Sequence, residues 1–395
     1  MKILWILHGC GLEGRGITGG PVRYHEISRR FQKQSIEQFL LTTKGGRDML
    51  QGMGSSIPDA ISPASLVFKR EPCRAFRLWS YIVTTLSFRK ALRSAPKSDV
   101  AITVSDYFCD IVPALRFKRL HKGKWVAWIH HRETPPKMRP GNPLVNRLTY
   151  KMQEWSLRKI AANADEAWVY DTDAGDLVKE RLIAFGMAPE RIRIMRCGVN
   201  VEEISRSREP QKDVDAVMVG LRPNKGLFDI IPIWEKVLAK RPDTTLRLMG
   251  GMSGETEVLE EIRNKGLDKN IQVFRPEGGF LPTGEYYSKL KSARIMFAPS
   301  HEEGWGMAVC EAMAAGLPVV AYDLPVYRRI YGNAFRQIPS FDFDSFAESI
   351  VELLDDKATF GQYQSKGLET AKDFGWDVIA ASDVSALKEM IEKHL

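Results

Sequence analysis

"ARIMFAPSHEEGWGMAVCEAMAAGLPVVAYD" spans residues Ala293–Asp323. It reads as strand, loop, helix, strand. "ARIMFA" is a short apolar run, and "HEEGWG" is a polar, glycine-bearing loop at its carboxyl end. "MAVCEAMA" follows as a helix that Gly316 and Pro318 stop. "LPVVAYD" is a second apolar run. Continuous apolar strands divided by helices indicate a parallel sheet covered on both faces. The same alternation extends upstream through "AVMVG" (216–220), "TTLRLMG" (244–250) and "NIQVFR" (270–275). A polar stretch, "NVEEISRSREPQKDVD" (200–215), interrupts it and reads as a linker. Before the linker the pattern recurs in "KILWIL" (2–7), "EQFLLTT" (37–43), "DVAITVS" (99–105), "KWVAWIH" (124–130), "DEAWVY" (165–170) and "RIRIMRCG" (191–198). The reading is an α/β chain of two doubly wound domains, 1–205 and 206–375, with ligands expected at the carboxyl ends of the strands. Two such domains face to face would enclose a central cleft.

The bulk composition agrees. The 395 residues exceed one ordinary core, and 44% hydrophobic with 27% charged residues is a globular balance. No apolar run has the roughly 18–20 residues that cross a bilayer. "MKILWILHGCG" lacks a cleavable leader's pattern and reads as a first strand. The five scattered cysteines, with no CxxC pair, suit reduced thiols and a cytosolic location. The net charge of +8 suits an anionic partner, whether a nucleotide diphosphate or an anionic membrane surface, or else is an ordinary solvated basic surface. No nucleic-acid-binding motif is recognised.

Within the opening stretch, Glu303 precedes a Gly-Trp-Gly turn and Glu311 lies in the helix. A carboxylate can accept two hydrogen bonds from a vicinal diol such as a ribose or hexose. Gly304 and Gly306 let backbone N–H groups approach a ligand, and the amides of Met307, Ala308 and Val309 open a helix whose dipole favours a phosphate. The plainer reading is that both acids merely suit a helix N-terminus. "WIHH" ends a strand at His130 and His131, only one of which strand alternation aims into a cleft. "DTD" (171–173) reads as a helix cap rather than a metal site.

"PSHEEGWGMAVCEAMAAGLPVV" resembles the E-x7-E signature of the retaining GT-B glycosyltransferases of family 4, roughly "PS…EGFG…EAMA.G.PVV". The resemblance implies two Rossmann-like domains about a central cleft (GT-B), a nucleotide-sugar donor, retention of anomeric configuration, and no metal or other cofactor. It implies that Glu303, with Gly304, Trp305 and Gly306, meets the donor sugar and that Glu311 meets the ribose. "GGPVRYHEISRRF" (19–31) is similar to the family's Gly-Gly loop and helix, placing Gly19 and Gly20 near donor and acceptor. "VGLRPNKG" (219–226) resembles the family's "VGRL…KG" phosphate grip, so Gly220, Arg222 and Lys225 would hold the diphosphate. Here Arg222 lies one residue late and the Gly-to-Lys spacing is one short, which leaves Arg222 in question. The family's strand-end histidine implies His130, with His131 as alternative, against the transferring sugar. The base would sit near "FRPEG" (274–278), with Arg275 beside it. "FGWDVIAASDVSALKEMI" (374–391) resembles the family's tail, so 376–395 would return to the first domain.

The acceptor is less legible. "RAFRLWSYIVTTLSFRKALR" (74–93) carries Phe76, Trp79, Val83 and Leu86 on one stripe beside basic residues, and "RFKRLHKGK" (116–124) adds more. Such a helix either lies on an anionic membrane or packs on the sheet with a solvated basic face. The Pro-rich "RETPPKMRPGNP" (132–143) suits an acceptor loop. These features favour a lipid-linked or membrane-surface glycan acceptor, as in cell-envelope polysaccharide synthesis, and peripheral attachment to the membrane. A small soluble acceptor, or a UDP-sugar epimerase of the same shape, is the competing reading.

Overall fold

The computed structural model describes residues 1–7, 19–54, 83, 85–88, 90–93, 95–133, 135–137, 142–252, 255–274 and 283–392. They divide into two compact units, Met1–Arg196 with Ile379–Leu395, and Cys197–Val378.

The first unit is built on a six-stranded sheet in the order β2-β1-β3-β4-β5-β6. Its strands are β1 (Lys2–Leu7), β2 (Glu37–Thr42), β3 (Val100–Thr103), β4 (Lys124–Ile129), β5 (Glu166–Tyr170) and β6 (Ile192–Met195). Every pairing is parallel. The helices are α1 (Gly19–Lys33), α2 (Lys44–Gly52), α3 (Phe108–His121), α4 (Pro143–Asn163) and α5 (Asp173–Ala184). Strand residues 3–7 and 125–129 are wholly buried, as a parallel sheet covered on both faces requires. Leu4, Ile6, Ala127 and Ile129 of the sheet pack with Phe117 of α3 and Leu157 and Ile160 of α4. Local chemistry sets the helix starts. Asn142 caps α4, its Oδ1 accepting from Leu144 N, with Pro143 next. In "DTD" the cap is Thr172, whose Oγ1 accepts from Gly175 N, while Asp173 opens α5.

The second unit holds another parallel six-stranded sheet, in the order β12-β11-β10-β7-β8-β9. Its strands are β7 (Val214–Leu221), β8 (Leu246–Met252), β9 (Ile271–Phe274), β10 (Ala293–Ala298), β11 (Val319–Tyr322) and β12 (Arg336–Ile338). The last is a short edge strand that apolar runs do not announce. Helices α6 (Val201–Arg206), α7 (Ile230–Lys240), α8 (Glu255–Asn264), α9 (Thr283–Lys291), α10 (Met307–Ala314), α11 (Pro325–Tyr331), α12 (Phe343–Asp355) and α13 (Lys357–Lys372) accompany them. The terminal helix α14 (Trp376–Glu392) begins in this unit, and from Ile379 its residues group with the first.

In each sheet the chain reverses its direction of winding beside the founding strand: between β1 and β3, and between β7 and β10. The loops leaving the carboxyl ends of such neighbours diverge to opposite faces and open a crevice where ligands bind.

Candidate active site

At the second switch point, the loop after β7 carries Arg222 to Gly226 and the loop after β10 carries Pro299 to Gly306. The two are knitted together by backbone. Asn224 O accepts from His301 N (3.0 Å) and from Glu302 N (3.3 Å). Gly226 adopts φ 78°, and a Cβ there would stand 2.0 Å from Pro299 O. Only glycine allows both the left-handed backbone and that approach. The consequence is that Lys225 Nζ lies 2.5 Å from Glu303 Oε1, in a partly buried ion pair. Ser300 Oγ (3.0 Å) and Tyr327 OH (3.3 Å) donate to the same carboxylate oxygen. Burial, then the charge of Glu303, pushes the Tyr327 phenol well above its ordinary range, so it stays a donor.

The root of the loop is fixed from beneath. The buried Asp229 carboxylate accepts from Tyr322 OH and from His301 Nε2, each at 2.7 Å. Sequence reasoning did not single out Ser300, Tyr327, Asp229, Tyr322 or His301. Asp229 sits only three residues beyond Gly226, but no spacing rule links it to Tyr322 on a different strand.

Gly306 takes φ 84° at the start of α10, and a Cβ there would meet the Tyr327 ring at 2.6 Å. Gly304 differs, because a Cβ there meets nothing within 4 Å. The Trp305 indole is buried edge-on against Tyr331 (5.4 Å) and Phe374 (5.2 Å), so the ring is a packing element of the loop. Tyr331 OH donates to the carbonyls of Trp305 and Gly306, both at 3.2 Å. Val309 corrects an expectation. Its amide already donates to Gly306 O at 3.0 Å, because the helix opens with a tight i→i+3 turn. The amides of Met307 and Ala308 occupy the first helical turn, where no intrahelical acceptor exists.

Glu311 lies on α10, half-buried, and accepts from Tyr286 OH of α9 at 2.8 Å. Burial and then Glu311 raise the Tyr286 phenol well above its ordinary range. Arg222 is exposed; its carbonyl accepts from Lys225 N at 2.9 Å, so its visible part in the site is to turn the backbone. Gly220 adopts φ 85° where β7 ends. Arg275 lies outside the described residues.

In the first unit, His130 follows β4 beside Gly20 of α1. A Cβ on Gly20 would lie 2.9 Å from His130 Nε2. That nitrogen donates to Val104 O at 2.6 Å, while Nδ1 accepts from Tyr170 OH at 3.1 Å. Both ring nitrogens are thus engaged, and burial pushes the imidazole down to about 4, keeping it neutral. His131 is exposed, with its carbonyl accepting from Gln153 Nε2 at 3.0 Å. Gly19 is the first residue of α1.

Residues 200–372 match the sequence profile of the family described as glycosyl transferases group 1. Over 162 residues the chain is 30% identical to a phosphatidyl-myo-inositol mannosyltransferase of Mycolicibacterium smegmatis, covering 40% of each chain. Over 221 residues it is 29% identical to a D-inositol 3-phosphate glycosyltransferase of Corynebacterium efficiens, covering 50% of this chain and 51% of the relative. The matched part therefore spans about half the length of these curated relatives. Among solved structures, the sucrose-phosphate synthase from Thermosynechococcus elongatus superposes with a TM-score of 0.71 at 17% identity, covering 99% of both chains. Anabaena HepE in complex with UDP-glucose superposes with a TM-score of 0.68 at 16% identity, covering 98% of this chain and 100% of that one. The two parallel six-stranded sheets with their helices are the Rossmann-like pair of the GT-B fold.

Proposed function

We propose that the protein is a retaining hexosyltransferase of the group 1 family, family 4 in its E-x7-E signature, using a nucleotide diphosphate sugar. One observation carries the reading: the fold's switch point brings the Lys225 ammonium against the Glu303 carboxylate, with Glu311 on the helix that follows the same loop. A hydroxyl-rich sugar needs an acceptor of hydrogen bonds, and a diphosphate leaving group needs a cation. Here one of each stands together, and the ion pair keeps both desolvated groups neutralised until a ligand separates them. In this reading Lys225 stabilises the departing diphosphate, Glu303 orients the sugar hydroxyls, and Glu311 holds the ribose. The bond from the anomeric carbon to the diphosphate oxygen breaks, and the acceptor oxygen bonds to the same face. The acceptor's proton passes to the departing diphosphate oxygen. Lys225 and the amides of Met307 and Ala308 take the place of a metal ion. A role for His130 against the sugar requires it to release Val104 O or Tyr170. The acceptor is a glycan hydroxyl, lipid-linked rather than a free sugar, and the enzyme works in the cytosol.

In support, relatives are named as a phosphatidyl-myo-inositol mannosyltransferase and a D-inositol 3-phosphate glycosyltransferase, and a fold neighbour is in complex with UDP-glucose. The test is thermal stabilisation by UDP-, GDP- and ADP-sugars in the presence of EDTA. A ligand at a hundred times its dissociation constant adds about 2.7 kcal/mol. A rise with one nucleotide family, unaltered by EDTA, supports the reading, and product anomeric configuration then tests retention. No rise with any of them overturns it. Interconversion of UDP-sugar epimers without an acceptor would favour the epimerase instead.

A further inference from the structure

The two oxygens of the Glu303 carboxylate are unequally engaged. Oε1 faces three donors: Lys225 Nζ at 2.5 Å, Ser300 Oγ at 3.0 Å and Tyr327 OH at 3.3 Å. Among the described residues no donor reaches Oε2. A carboxylate has about four lone-pair sites over its two oxygens, roughly two to each. Three donors on Oε1 are therefore one too many. The crowding shows in the lengths, since Tyr327 OH stands beyond the roughly 2.7–2.8 Å usual for a bond between two oxygens. The donors also differ in freedom. Ser300 and Tyr327 are both buried. The Tyr327 ring is held against Gly306, where a Cβ would meet it at 2.6 Å, and lies edge-on to Phe335 at 5.3 Å. Lys225 is the donor that can move. Its backbone is fixed by the bond to Arg222 O and by the close approach of Gly226 to Pro299 O. Its side chain is 24% exposed, and its ammonium ends a flexible four-carbon stem.

We propose that Tyr327 and Ser300 are positioning residues that hold the Glu303 carboxylate when Lys225 leaves it for the diphosphate of a bound nucleotide. The proposal rests on the transferase reading for what draws Lys225 away. Before the ligand arrives, Oε1 has three donors for two sites. Afterwards it has two, and the Tyr327 bond shortens into the place that the ammonium vacates. The carboxylate, only 10% exposed, thus keeps hydrogen bonds as it loses its counter-ion. Its plane stays fixed too, because the terminal torsion of a glutamate is broad and needs donors to define it. Oε2 remains available to a sugar hydroxyl in both states. Without the Tyr327 hydroxyl, Lys225 must leave a buried carboxylate that has one donor instead of two, so separating the ion pair costs more. That cost falls on ligands that carry a diphosphate and on no others.

The experiment is equilibrium titration with UDP, GDP and ADP, and with the matching nucleosides, which lack phosphate. In Tyr327→Phe, the dissociation constant of the diphosphate that binds the wild type should rise about tenfold, as expected for one lost hydrogen bond to a charged group. Binding of its nucleoside should be unchanged, because a nucleoside asks nothing of Lys225. Ser300→Ala should show the same selectivity and is an independent removal of the same kind. The comparison can also be run on the protein side with Lys225→Met. There no cation has to leave, so adding Tyr327→Phe should weaken the diphosphate no further. Equal weakening of diphosphate and nucleoside would mark a merely structural loosening and overturn the proposal. So would the full loss repeated in the Lys225→Met background. Should the wild type bind none of the three diphosphates, the transferase reading falls and this proposal with it. Wild-type binding that both hydroxyl deletions leave intact overturns this proposal alone.

Discussion

Lys225 and Glu303 are 78 positions apart in the chain, yet their charged atoms stand 2.5 Å apart. The pair has two duties that mutation can separate. In the free protein it neutralises a carboxylate whose side chain is only 10% exposed. In the proposed reaction the ammonium serves the leaving group instead. Lys225→Ala should therefore lower kcat/KM by roughly 10²–10³, the usual loss on removing one preorganised charge stabiliser. Combined with Glu303→Gln, its effect on unfolding free energy should be non-additive by roughly 0.5–3 kcal/mol. Additive free energies would mean that the contact carries no coupling. His130 gives a second test at this scale. Its imidazole titrates near 4 in the folded protein, below its ordinary 6.5. The unfolded chain thus binds a proton that the folded one refuses, and stability present above pH 6.5 is lost as pH falls toward 4. Between pH 7.5 and 5 this group should account for roughly 2 kcal/mol of that loss. His130→Gln keeps a donor for Val104 O but cannot titrate, so its stability should fall less steeply over that interval. Parallel pH profiles for the two proteins would refute the assignment.

At the scale of elements, the glycines around α10 divide by what surrounds them. Gly304 has open space where a side chain would go, whereas Gly306 has positive φ and the Tyr327 ring against it. Gly304→Ala should leave the melting temperature unchanged and weaken donor binding, because the new methyl occupies the space a ligand would use. Gly306→Ala should lose roughly 1–3 kcal/mol of stability from the left-handed backbone and push Tyr327 away from Glu303. Gly226→Ala should behave like Gly306→Ala, since it forces apart the two loops that align Lys225 and Glu303. If Gly304→Ala binds nucleotide-sugars as the wild type does, the loop does not form the donor's floor. The contrast also shows what the sequence could convey. The strand–loop–helix–strand unit is legible because each boundary has a local cause: apolar run, glycine turn, helix, Gly316 and Pro318. Nothing local distinguishes Gly304 from Gly306, or reveals that the Trp305 ring turns into an aromatic cluster. Most of 74–93, whose apolar stripe reads as a membrane or sheet-packing face, lies outside the described residues.

At the scale of the whole molecule, the second sheet sets Lys225 and Glu303 on the loops after β7 and β10, where its winding reverses and where ligands of such sheets bind. The sequence pattern is silent on long-range pairing, and the end of the chain shows it. Arg23 of α1 is wholly buried, with its guanidinium over the Trp128 ring at 4.0 Å, and it donates to Arg196 O at 2.9 Å. Its acidic partner is Asp383 of α14, 2.7 Å away and 360 positions later. Val384, Leu387 and Met390 of the same helix are buried too. The last segment of the chain is therefore structural for the first unit. Asp383→Ala strands a buried cation, and should remove roughly 3–5 kcal/mol from the unfolding free energy. Replacing both partners with apolar residues, Arg23→Met with Asp383→Leu, should restore most of that loss, because an apolar pair needs no charge compensation. Urea unfolding of the wild type and the two variants decides it. A single variant as stable as the double one would mean that the guanidinium reaches water or another acceptor. Nucleotide binding, assigned to residues of the second unit, should persist in both variants at a temperature where they are folded.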